Sequence, residues 1–121
     1  MPNKTDIFII DDDTHNLHYY QSVINHSEGM RCIGSTTNSQ NAVAIVVTTM
    51  PDIVLIDYAL YPTSGFEIAT LLKESVPDLP VVLLGGRPTL QEHAEKIGAF
   101  YIPMPITPRK LLDAIQEAIT V

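Results

Sequence analysis

The sequence predicts a single α/β domain built on a parallel sheet, and three observations carry that prediction. Two short apolar runs, Ile7 to Ile10 and Ile53 to Ile56, end on carboxylates: Asp11-Asp12-Asp13 after the first and Asp57 after the second. Strand-like and helix-like segments alternate along the chain, five of each, with no repeat, linker or low-complexity stretch between them. At 121 residues the chain suits one domain, 1–121, with no room for a second. Unbroken apolar runs of this kind are strands buried on both faces, as in a parallel sheet whose right-handed crossovers place helices on each side.

Each element has its own signal. After the first strand, Leu17, Tyr20, Val23 and Ile24 recur at helical spacing from Thr14 to about His26, and Gly29 ends that segment. Arg31 to Ser35 is a short second strand, and the polar stretch Thr36 to Asn41 offers caps for a second helix from about Gln40 to Thr48. Pro51 closes that helix and starts the strand that ends on Asp57, because proline lacks the amide an interior helical turn requires. A loop with Pro62, Ser64 and Gly65 leads to a third helix, Phe66 to Ser75, with Ile68, Leu71 and Leu72 on one face. Pro77 and Pro80 bracket a turn before the fourth strand, Val81 to Leu84, which runs out into Gly85-Gly86. A short helix from Thr89 to Ile97 stops at Gly98, and Ala99 to Ile102 is the fifth strand. Thr107-Pro108 is a helix start, a hydroxyl cap followed by proline at the first helical position, with Leu111, Leu112, Ile115, Ala118 and Ile119 behind it.

Composition excludes several classes. Fourteen acids against seven Lys and Arg give a net charge of −7, and the bases form no stripe, so the domain itself is not expected to bind nucleic acid. No apolar run approaches the roughly 20 residues of a membrane span, and the N-terminal residues lack a secretory signal, so a cytoplasmic, membrane-free protein is expected. The single cysteine, Cys32, has no internal partner and reads as a strand residue.

With strand order 2-1-3-4-5, the first and third strands are neighbours and Asp11, Asp12 and Asp57 converge at the carboxyl edge of the sheet, where ligands bind in such folds. Unit charges about 4 Å apart repel by roughly 4 kcal/mol at an effective dielectric near 20, so a metal-free pocket should raise at least one carboxylate pKa. Asp13 is better suited to capping the first helix than to serving as a further ligand, and His15, His18, His26 and His93 lack the spacing of a zinc site. Met104 reads as apolar filling.

These residues together resemble the receiver domain of two-component response regulators, and the resemblance covers the whole chain. It rests on the Asp11-Asp12 pair, the lone Asp57, Gly65 at the family's spacing beyond it, Tyr101 and Pro105. It implies a flavodoxin-like (βα)5 three-layer sandwich. It further implies Asp57 as phosphoacceptor, Mg2+ held by Asp11, Asp12, Asp57 and the backbone carbonyl of Ala59, and a histidine kinase or phosphotransfer protein as donor. A homodimer through the fourth and fifth helices is a further expectation. The chain departs from the family pattern in two places: Gly85 stands where a Ser or Thr hydroxyl is usual, and Met104 stands where a Lys is usual. Pro62 also falls one residue late. Arg87 is the candidate to replace the lost cation, and Tyr101, facing a glycine, is expected to sit inward permanently. The alternative function is a degenerate receiver, a phosphorylation-independent interaction module.

Two enzymatic readings fail. A haloacid-dehalogenase-type phosphatase would need Thr where His15 stands and about twice the length. A nucleotide site would need a glycine-rich loop after the first strand, which is absent.

Overall fold

The computed structural model describes residues 4–120. Five parallel strands, β1 (Thr5–Ile10), β2 (Met30–Thr36), β3 (Ile53–Asp57), β4 (Val81–Gly85) and β5 (Phe100–Pro103), form one sheet in the order β2-β1-β3-β4-β5. They alternate with α1 (Thr14–Asn25), α2 (Ala42–Thr49), α3 (Gly65–Ser75), α4 (Leu90–Lys96) and α5 (Pro108–Thr120). This is the flavodoxin-like arrangement expected from the sequence.

The pleat sorts each strand's residues between two cores. Ile7, Ile9, Ile53 and Leu55 point to the face covered by Leu17 and Ile24 of α1 and by Leu111 and Ile115 of α5. Phe8, Ile10, Val54 and Ile56 point to the other, against Val46 of α2 and Ile68 and Leu72 of α3. Every residue of β3 and β4 is buried, which is why those stretches show no polar alternation.

Several boundaries follow local chemistry. Asp13 caps α1, its Oδ1 accepting from His15 N at 2.8 Å, and Ser64 and Glu67 form a reciprocal capping box at α3. Thr107 Oγ1 accepts from Lys110 N at the start of α5. Gly98 takes a left-handed φ of +78° after α4. The helix starts expected near Gln40 and Thr89 lie later, at Ala42 and Leu90, and neither Asn41 nor Thr89 caps through its side chain. The helix before Pro51 ends through Met50, which adopts a left-handed φ of 53° and donates its amide to Val46 O. A bulge in β2 lets Phe8 pair with Gly34 directly after Ile7 pairs with Cys32; a Cβ on Gly34 would come within 2.9 Å of the Phe8 ring.

Gly65 ties the fold to the site. Its amide donates to Tyr58 O at 3.0 Å, and a Cβ built on it would lie 1.9 Å from Asp57 O. The first turn of α3 therefore rests directly on the backbone that carries Asp57. Replacing Gly65 with alanine is expected to destabilise the fold by about 3 kcal/mol or more, since the obstructing atoms are backbone and cannot rotate away. Gly86→Ala, where nothing lies within 4 Å of the added carbon, should stay within about 0.5 kcal/mol. Urea denaturation of both variants checks the contrast.

Candidate functional site

Strand adjacency brings the acids together. β1 pairs directly with β3, Ile10 opposite Ile56, so the residues that follow these two, Asp11 and Asp57, emerge side by side. Carboxylate oxygens of Asp11, Asp12 and Asp57 lie within 4.8 Å of one another, and among the described residues this is the one cluster of potential metal ligands. Asp11 is fully buried and Asp57 is 9% exposed, while Asp12 faces solvent.

Asp11 accepts Asp13 N at 2.9 Å and Asn16 Nδ2 at 3.4 Å. Burial, only partly offset by these bonds and reinforced by the charge of Asp57, pushes its pKa up to about 6. Asp57 is also pushed above the usual carboxylate range, first by burial and then by Asp12 and Asp13, against an opposing hydrogen bond from Ala59 N at 3.3 Å. The same negative field reaches the buried phenol of Tyr20, whose pKa burial and then Asp11 and Asp57 raise to about 12. Three oxygen-donor side chains, one of them with an oxygen exposed to solvent, suit a hard divalent cation. Asp13 is committed to capping α1, and all four histidines are exposed and outside the cluster.

Asp57 opens into a cleft of about 780 Å³, bounded by Tyr58 to Tyr61 on one side and by Gly85, Arg87 and Met104 on the other. Met104 is 40% exposed at the rim, which corrects the expectation that it fills the core. Its amide closes the edge of the sheet by donating to Gly85 O at 2.7 Å. Arg87 is exposed on the same rim and makes no ion pair with Asp57; the ion pairs among the described residues are Arg31 with Asp6 and Arg109 with Asp113. The Tyr101 ring lies inward over Gly85, where a Cβ would come within 2.7 Å of its hydroxyl oxygen.

Sequence reasoning missed three supports of this site. Asn16 reaches Asp11 from the first turn of α1, one turn beyond the acids, and the asparagine at that spacing was the available signal. Buried Ser39 holds the loop after β3 by accepting from Thr63 N at 3.2 Å. Tyr19 crosses from α1 to the segment after β5, donating to Ile106 O at 2.8 Å. The last two join positions far apart in sequence and left no local trace.

A family model described as the response regulator receiver domain matches residues 7–116. The chain is 32% identical over 124 residues to the phosphate regulon transcriptional regulatory protein PhoB of Pseudomonas aeruginosa, covering 98% of this chain and 53% of that protein. It is 33% identical over 118 residues to the heme response regulator HssR of Staphylococcus haemolyticus, covering 92% of this chain and 50% of the relative. The chain thus spans about half the length of these two curated relatives. Among solved structures, the response regulator domain of Thermotoga maritima CheB superposes with a TM-score of 0.90 at 20% identity, covering 98% of both chains. The receiver domain of NarL from Mycobacterium tuberculosis gives 0.88 at 18% identity, with the same coverage.

The raised Asp11 pKa makes metal-free stability fall as pH rises. Between the unfolded value near 3.8 and the folded value near 6, the native state holds a proton that the unfolded chain has released. Asp11→Asn keeps an acceptor but cannot ionise. The unfolding free energy of wild type minus that of Asp11→Asn should therefore drop by roughly 2 kcal/mol between pH 4 and pH 6.5 and stay nearly level above that. Denaturant titrations in the presence of a chelator measure this difference, and a flat profile would count against the buried acid.

Proposed function

The chain belongs to the response regulator receiver domain family, and from that premise we propose that it accepts a phosphoryl group on Asp57 in a two-component phosphorelay. The observation that carries this reading is the convergence of Asp11, Asp12 and Asp57, the last of which lines a cleft. Receiver domains generally bind Mg2+ at such a cluster. Here Asp11, Asp12, Asp57 and the Ala59 carbonyl would hold it, and the bound cation would offset repulsion between the carboxylate and the incoming phosphoryl oxygens.

The chain's own residues then have distinct tasks. A carboxylate oxygen of Asp57 attacks phosphorus, an O–P bond forms, and the bond from phosphorus to the donor breaks. For a phosphohistidine donor, from a histidine kinase or phosphotransfer protein, the electron pair returns to the imidazole nitrogen, which takes a proton from solvent. Asp57 must be ionised to attack, and its raised pKa makes acceptance fall at acidic pH. Ala59 N, hydrogen-bonded to Oδ1, orients the carboxylate. Because Met104 replaces the usual lysine, no side-chain ammonium reaches the transferring group, and the reaction is slow. Arg87, on the rim of the same cleft, is the remaining cation that can approach it. We place this activity in the cytoplasm, with any DNA contact left to a partner or an attached domain.

The second reading is a receiver that signals without phosphorylation, through protein contacts that include pairing of two copies by α4 and α5. Exposed Met104 and side-chain-free Gly85 favour it.

Intact-protein mass after incubation with a small acyl-phosphate donor and magnesium separates the two. A phosphoryl adduct on wild type and none on Asp57→Ala is the expected result, and unmodified folded wild type sinks the proposal for that donor class. Arg87→Ala should slow adduct formation by about tenfold, and Met104→Lys should speed it by about ten- to a hundredfold, the scale of one well-placed electrostatic donor. Magnesium should raise the melting temperature at pH 7.5 more than at pH 5, where Asp11 keeps its proton, and Asp12→Ala should abolish the effect.

A further inference from the structure

The cleft beside Asp57 combines two features that suit one kind of guest. It carries a carboxylate: Asp57 is 9% exposed and, among the described residues, accepts a single hydrogen bond, from Ala59 N on Oδ1, so that Oδ2 has no donor. Its walls are apolar and aromatic, with Tyr58 and Tyr61 on one side and Leu90 and Met104 on the other. Tyr61 is 83% exposed and Met104 40%, so this surface continues onto the rim. A deeply buried carboxylate with a free oxygen calls for a cation, and apolar walls call for a hydrocarbon stem behind it. Arg87 does not fill the place, since it stands on the rim and makes no ion pair among the described residues. Neither Asp11 nor Asp12 lines the cleft, so a cation entering here meets Asp57 from outside the cluster of potential metal ligands.

We propose that this cleft is a docking site for a basic side chain of a partner protein. The guest is an arginine or lysine whose methylene stem lies along Tyr61 and Met104 and whose cation meets Asp57, with apolar neighbours that cover the exposed rim. Charge favours such a partner, because a domain of net charge −7 attracts a basic surface. The faces of the two tyrosine rings attract a cation as well. At about 780 Å³ the cleft has room for one such side chain and part of its neighbours. No covalent bond changes on docking; the guest offsets the charge of Asp57. The docking stands on the cleft alone, whereas a role in transfer rests on the phosphoacceptor reading. Where the partner is also the phosphoryl donor, its cation brings to Asp57 a positive charge that no side chain of this domain places there.

NMR titration of the metal-free, full chain tests the docking. The probes are the peptide acetyl-Leu-Arg-Leu-amide and its citrulline counterpart, which keeps the shape and lacks the charge. The arginine peptide should shift the Met104 methyl, Tyr61 ring and Ala59 amide resonances saturably, and the citrulline peptide should bind roughly tenfold more weakly or worse. Asp57→Asn should lower the affinity for the arginine peptide to that of the citrulline peptide, and Met104→Lys should weaken it about as much by placing an ammonium in the cleft. Asp78→Asn, which removes one exposed charge elsewhere, should leave it unchanged. Equal affinity for the two peptides, or for wild type and a folded Asp57→Asn, overturns the proposal. Butylguanidinium, the side chain without its backbone, should bind more weakly than the peptide, and equal affinity overturns the assignment to a protein partner. In a second arm, the acyl-phosphate reaction with magnesium is run with and without saturating arginine peptide. Adduct should form roughly fivefold faster with the peptide on wild type and no faster on Met104→Lys. Adduct formation that the peptide leaves unchanged overturns the role in transfer. Absence of adduct under both conditions marks failure of the phosphoacceptor reading instead, and the metal-free titration then decides the docking alone.

Discussion

The constraint on which this structure depends is the enforced proximity of carboxylates that repel one another. Asp11 directly follows β1 and Asp57 ends β3, two largely buried strands that pair in register, so neither acid can withdraw without breaking the sheet. The apolar burial of β1 and β3, at about 25 cal/mol per Å², outweighs a repulsion of a few kcal/mol. The protein relieves what it can. Asp11 turns both oxygens towards donors, Asp13 N and Asn16 Nδ2, and it retains a proton into the range near pH 6. What remains is a preorganised demand for positive charge.

The rest of the site is arranged around that demand. Gly65 lets the first turn of α3 press on the Asp57 carbonyl, and its amide and the capping box of Ser64 and Glu67 fix the loop that forms one wall of the cleft. On the opposite wall, Gly85 and Met104 supply neither hydroxyl nor ammonium. The space a β4 side chain would take is filled by Tyr101, and the polar groups of the wall are turned towards each other: Arg87 to Tyr101, and Met104 N to Gly85 O. One wall carries Asp57 on a backbone held by Gly65, while the other is closed on itself.

How much of this was legible in the sequence follows from the range of each interaction. Strand order and the convergence of Asp11, Asp12 and Asp57 were readable because apolar runs and their terminal acids are contiguous. Caps at Asp13 and Thr107 and the left-handed Gly98 were readable because each depends on neighbours within one helical turn. The bulge at Gly34 was not, since it answers to the Phe8 ring on another strand. Met50 hid in the same way: a left-handed methionine is forced by the chain's path into Pro51 and carries no compositional mark. The inward position of Tyr101 was anticipated from Gly85, yet its two bonds to Arg87 depend on a loop path that only the folded chain defines. Met104 was misjudged because apolar character says nothing about whether neighbours exist to cover it.

The two substitutions also bear on each other. A lysine in place of Met104 would bring an ammonium towards three carboxylates and lower their demand for a metal or a proton. Without it, the raised pKa values of Asp11 and Asp57, set first by burial and then by neighbouring carboxylates, have no fixed ammonium to oppose them. A divalent cation bound there meets less electrostatic competition than it would beside a fixed ammonium, while a phosphoryl group on Asp57 meets less stabilisation. Loss of the lysine therefore shifts the site towards holding a cation and away from holding an anion. Arg87 carries the charge on the cleft rim, from a backbone bonded on both its amide and its carbonyl to the Tyr101 hydroxyl.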